Sequence, residues 1–153
     1  MGFIDNARGG KTIREPQVAE EGIYTLTVNK VEKVKSKSDP TRHNLRFLIS
    51  VKGRPDIKNI FHYCAIPDID RDDPEKFEVK MLMLKRTLVH FEIPFDEDTF
   101  DFEESDAKGS TFESGISIEA YEGRRSNKVD IPALDEEDDD SGDGDLTDGP
   151  KFF

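Results

Sequence analysis

Tryptophan is missing from this 153-residue chain, and it has one cysteine, Cys64, three histidines and no long apolar run. The lone thiol excludes an intramolecular disulfide and a cysteine-only zinc site; in its apolar setting it reads as a small buried hydrophobe. Without a sufficiently long apolar stretch, neither a secretory leader nor a membrane span is expected, and the chain reads as cytoplasmic. Met1-Gly2 opens like a myristoylation signal, but Asn6 stands where Ser or Thr is required. Catalytic signatures are also lacking: there is no Gly-rich phosphate loop, nucleophile elbow or HExxH pair. His43, His62 and His90 fall on a turn, a strand and a helix end. The expectation is a protein that is not an enzyme, with no catalytic residues, metal or cofactor.

What the chain has is segregated charge. The net charge is −12, yet residues 1–58 hold twelve Lys/Arg against seven Asp/Glu. Residues 59–134 hold nine against eighteen, and residues 135–153 hold one against nine. A basic N-terminal half inside an acidic protein points to work done by the surface field. The acidic, Gly-containing run 135–153 cannot bury enough apolar surface to offset its ordering entropy, so a disordered tail is expected. It carries Phe152-Phe153, two rings with no pocket within the run, and reads as a tether presenting an aromatic hook to partners.

Hydrophobic period divides the rest into an N-terminal arm, 1–21, and one domain, 22–134. From Gly22, Tyr24, Leu26 and Val28 alternate against Ile23, Thr25 and Thr27, a first strand. The apolar positions then slip to Val31 and Val34, which calls for a bulge near Asn29 to Val31. Residues 35–43 form a basic turn around Ser38-Asp39-Pro40. Leu45, Phe47, Ile49 and Val51 define a second strand, Gly53 to Asp56 a turn, and residues 57–66 a third strand whose apolar character suggests two covered faces. Asp72-Asp73-Pro74-Glu75 starts a helix. Its stripe Phe77, Met81, Leu84, Leu88 and Phe91 reads as a core face, and Pro94 is its stop. Residues 96–106 are expected as an acidic loop that tucks in Phe100 or Phe102. Ile116, Ile118 and Ala120 mark a fourth strand, Gly123 to Asn127 a basic turn, and Lys128 to Ile131 a fifth.

The order β-β-β-α-β-β, mainly β, is that of the five-stranded OB-fold, a Greek-key barrel with one α-helix between strands three and four. In that fold ligands lie across strands two and three, between the loop joining strands one and two and the loop joining strands four and five. Both loops are cation-rich here. Lys33, Lys35, Lys37, Arg42 and Arg46 supply charge on one side, and Arg124, Arg125 and Lys128 on the other. Binding an unpaired nucleic-acid strand also needs flat aromatic surfaces for the bases. If Ile60, Cys64 and Ile66 point inward, Phe61 and Tyr63 point out beside Arg46. The alternative packs Phe61 and Tyr63 and turns out His62, which when buried needs a hydrogen-bond partner. Tyr121 could stack on a base or cover core.

The chain resembles the small OB-fold single-stranded DNA-binding proteins of bacteriophages. Glu21-Gly22-Ile23-Tyr24, Lys35-Ser36-Lys37-Ser38 and Tyr121-Glu122-Gly123-Arg124 through Asn127-Lys128-Val129 carry the resemblance, over roughly residues 20–134. The tail is similar to the acidic, aromatic-ended tails of bacterial and phage single-stranded DNA-binding proteins. The resemblance implies coating and protection of single-stranded DNA in a bacterial host during phage replication and recombination. It also implies recruitment of replication or recombination proteins through Phe152 and Phe153. Lys151 beside the hook, and two phenylalanines where the bacterial tails usually end in one, depart from that pattern. A homodimer through a strand edge is compatible with the barrel.

Two other readings fit parts of the composition: a DNA-mimic inhibitor, which the basic loops oppose, and a protein-interaction adaptor using the barrel as a peptide dock. Asp68, Asp70, Asp72 and Asp73 read as a solvated loop and helix cap rather than a metal site. Asp139, Ser141, Asp143 and Gly144 open like a calcium loop, but Pro150 stands where its closing glutamate belongs.

Overall fold

The computed structural model describes residues 15–134, so the tail 135–153 with Phe152 and Phe153, and arm residues 1–14, lie outside the described part. Its elements run β1 (Gly22–Lys35), β2 (His43–Val51), β3 (Ile60–Ala65), α1 (Pro74–His90), α2 (Glu104–Ala107), β4 (Thr111–Tyr121) and β5 (Arg124–Val129). The strands form one antiparallel sheet in the order β3-β2-β1-β4-β5. The sheet is not closed by hydrogen bonds, but its two edges, β3 and β5, approach each other.

β1 holds the sheet together. Its first half pairs with β4, Gly22 to Thr27 against Ile116 to Thr111, and its second half with β2. The bulge falls where the apolar slip requires it: Val28 faces Ile49 and Lys30 faces Leu48, leaving Asn29 as the extra residue. Leu26, Val28 and Val31 are therefore all buried.

α1 begins as its sequence dictates. Asp73 is the N-cap and accepts from the Lys76 amide at 3.0 Å, with Pro74 in the first turn. Leu84, Thr87 and Leu88 are its buried residues, while Phe77 and Met81 are half-buried. The helix stops at His90, short of Pro94. Glu92 turns into the left-handed region at φ 57°, and Glu92 and Ile93 donate to the carbonyls of Val89 and Leu88. This Schellman pattern satisfies the last carbonyls without proline.

Phe91 sits at the centre of the core, edge-on to Phe47 at 5.2 Å, stacked with Phe112 at 4.6 Å and against His62 at 5.4 Å. The segment expected as a loop holds a second, one-turn helix between β3 and β4, α2, which buries Ala107, and both of its aromatics, Phe100 and Phe102, are partly buried against the core.

Three boundaries differ from the sequence reading. β3 is shorter than 57–66, and one face is open rather than both covered: Ile60 and Cys64 are buried, Phe61 and Tyr63 exposed. β4 starts well before Ile116, because Phe112 and Ser114 extend its buried face through residues that the apolar period left unassigned. β5 starts at Arg124, because the reversal needs only Glu122-Gly123, both at positive φ. No helix among the described residues is long and apolar enough to cross a membrane.

Candidate functional site

Cross-strand register sets the outer face of the sheet. Arg46 on β2 lies between Glu32 on β1 and Tyr63 on β3, and Leu48 lies opposite Phe61. Side chains opposite one another share a face. Phe61 and Tyr63 are 50% and 53% exposed, unusual for neighbouring rings on one strand. The Arg46 guanidinium stands over the Phe61 ring, 5.4 Å from its centroid. Its Nε and a terminal nitrogen bond Glu32, which fixes the cation in place and offsets part of its charge. Of the two sequence arrangements, the one with outward rings is present.

His62 accordingly points inward, against Phe47 at 6.0 Å and Phe91. Burial, with nearby His90 adding to it, pushes its pKa down to about 4, so at neutral pH it is an uncharged aromatic wall. His90 bonds the Ser114 hydroxyl at 2.7 Å, which gives that buried serine a partner.

Between the facing edges of β3 and β5 runs a groove of about 610 Å³. Ile60 to Tyr63 line one wall and Ser126 to Val129 the other, with Val18, Lys58, Asn59 and Glu119 completing it. Lys128 thus faces the Phe61 and Tyr63 strand across the groove. Lys58, Asn59 and Ser126 were not singled out in the sequence; Lys58-Asn59, two residues before the aromatic strand, was the available signal. The described end of the arm laces the groove at one end. Gln17 forms a parallel bridge with Ile57, and Ala19 exchanges two bonds with the Asn127 side chain, at 2.7 and 3.0 Å.

The remaining candidates divide by their partners. Lys33, Lys35, Lys37, Arg124, Arg125 and Lys128 form no ion pair among the described residues. Arg42 is committed: it bonds Asp72 at 2.7 Å and lies 3.7 Å from Asp39. Alternation on β5 sets Arg124 and Lys128 on one face and Arg125 on the other, with buried Val129. Tyr121 pairs with Arg124 at the hairpin tip and is 74% exposed, so it covers no core. Lys33 lies beside a second, more apolar groove between Phe77, Met81 and Phe100.

The two basic segments leave opposite ends of β1. One follows Lys35, its last residue; the other lies past the Gly22–Ile116 pair at its start. Among the described residues no hydrogen bond or ion pair joins them. What the structure brings together is Arg46, Phe61 and Tyr63 on one face, with Lys128 and Lys58 along the adjoining groove.

Three of the four clustered aspartates have structural partners for their carboxylates. Asp72 accepts from Arg42, Lys80 and the Asp68 amide, Asp73 caps α1, and Asp68 accepts from the Asp70 amide. Among the described residues no group of three or more His, Cys, Asp or Glu side chains is placed to hold a metal ion.

Against protein-family models and against curated proteins, the chain has no match.

Proposed function

We propose that this protein binds single-stranded DNA across β2 and β3 and along the groove between β3 and β5. One observation carries the reading: Phe61 and Tyr63 stand exposed beside Arg46, with Lys128, which has no ion pair among the described residues, across the groove. Half-exposed rings side by side on a strand leave faces on which bases stack whatever their identity, and nearby cations track the phosphates. The strand order, the long helix α1 between β3 and β4, and the facing edges support reading the sheet as an OB-type barrel. In that reading Tyr121, Arg124 and Arg125 extend the contact at the β4–β5 hairpin, and Lys33, Lys35 and Lys37 at the β1–β2 turn.

The biological setting follows from the resemblance: coating of single-stranded DNA in phage replication and recombination, in the host cytoplasm, with no cofactor and no turnover. Residues 135–153 serve as the acidic segment that competes with DNA for the basic groove and offers Phe152-Phe153 to replication or recombination proteins. The effective concentration of a tethered polyanion makes this competition possible.

Fluorescence quenching with oligo-dT against duplex DNA at two salt concentrations tests the reading. Tight, salt-weakened binding of oligo-dT with weaker duplex binding is expected. Equal affinity for both, or none for either, would overturn it.

A further inference from the structure

The β1–β2 turn holds its exposed lysines on an ordered frame, and that frame is anchored from below. Ser36 donates to the Arg42 carbonyl at 2.9 Å, and Arg42 to the Asp39 carbonyl at 2.9 Å, closing the turn on itself. Asp39 accepts from the Thr41 amide at 3.1 Å and hydroxyl at 2.7 Å. Arg71, from the segment preceding α1, reaches the Thr41 carbonyl at 3.0 Å and Asp39 at 3.4 Å.

Beneath this lies Asp72, its side chain only 2% exposed. It accepts from Arg42 at 2.7 Å, Lys80 at 2.8 Å and the Asp68 amide at 2.9 Å. Lys80 first, then the Asp68 amide and Arg42, hold its carboxyl well below the usual carboxylate range. Two cations sharing a buried carboxylate tie the turn to the start of α1: without Asp72, Lys80 loses its ion pair and Arg42 keeps only the longer contact to Asp39. Lys35 and Lys37 stay exposed and without ion pairs among the described residues.

We infer that Asp72 is a positioning residue for nucleic-acid binding: through Arg42 it pre-orders the β1–β2 turn so that Lys35 and Lys37 meet phosphates without first being ordered. Arg42 is then a strut and not a phosphate ligand. The inference rests on the proposed DNA-binding function and adds to it a residue of the wrong charge for DNA.

The sign of that charge makes the test decisive. Removing an acid beside a basic turn should tighten DNA binding by simple electrostatics. Loss of pre-ordering should weaken it, by about threefold to tenfold for a few side chains that must now be immobilised on binding. Asp72→Asn in the full chain is therefore compared with wild type for oligo-dT affinity, with circular dichroism to confirm the fold and amide exchange to follow the turn. Weaker binding with faster exchange at Ser36 and Arg42 supports the role; equal or tighter binding by the folded variant overturns it.

Should D72N not fold, Asp39→Ala decides, because Asp39 is a surface residue holding the same turn. It too removes an acid and is expected to weaken binding, and unchanged or tighter binding overturns the role. If wild type binds no oligonucleotide, the functional reading fails and the positioning role with it. If wild type binds and the variant binds as well, only the positioning role falls.

Discussion

Arg46 stands over the Phe61 ring at 5.4 Å while bonded to Glu32, so a cation and a ring on adjacent strands are held together by an acid on a third. Phe61→Ala and Tyr63→Ala should each weaken oligo-dT binding by about 1–3 kcal/mol. Because both rings are half exposed, the melting temperature should barely move. A large fall in stability with unchanged affinity would mean that the rings serve packing alone.

Lys128 and Arg54 form a matched pair for counting phosphate contacts. Lys128 lines the β3–β5 groove without an ion pair among the described residues, whereas Arg54 is exposed and paired with Asp56 at 3.0 Å. Lys128→Ala should reduce the slope of log affinity against log salt by about 0.7, the loss of one counterion release on a single strand. Arg54→Gln should leave the slope as it is. Identical slopes for Lys128→Ala and wild type would remove Lys128 from the interface.

His62 makes stability depend on pH. Its folded pKa, about 4, lies below its ordinary value of 6.5, so the unfolded chain binds the proton more readily. The stability that neutral His62 provides is fully present above pH 6.5 and is lost as pH falls towards 4. The total is on the order of 3 kcal/mol. His90, also lowered by burial, adds in the same direction. Denaturant unfolding at pH 7 and pH 4.5 measures the fall, and His62→Leu should remove most of it. An undiminished fall in His62→Leu would place the titration elsewhere.

Glu122 and Gly123 form the two-residue β4–β5 turn with φ of 52° and 79°. Glutamate is strained at positive φ, whereas Asn-Gly is the preferred pair for such a turn. Glu122→Asn should stabilise the protein by about 0.5–1 kcal/mol, seen as a higher denaturant midpoint. A lower midpoint would show that the Glu122 side chain matters to the turn.

The sequence was most legible where one face is apolar and the other is not. The alternation around Phe47 and Ile49, the Asp73-Pro74 helix start and the slip past Val28 each carry a local signal and appear as read. Legibility failed where a tertiary partner replaces a local one. Ser114 is polar yet buried, because His90 bonds it across 24 positions, and so the first half of β4 was not read as strand. Arg124 to Asn127 looked like a turn because polar residues fill an edge strand facing an open groove. In the site, the outward rings followed from period two, but Arg42 resembled a free cation because Asp72, its partner, lies 30 positions away.

The bulge at Asn29 puts two residues of β1 opposite one step of β2, between Ile49 and Leu48. Val28 and Val31, on either side of it, are both buried, so excising Asn29 would leave each later side chain of β1 facing the way it faces now. What would vanish is bend, not parity. A bulge bends and twists its strand, so this one asparagine contributes to the coiling by which the far margins of the sheet approach each other, and to the width of the slot a polymer would enter.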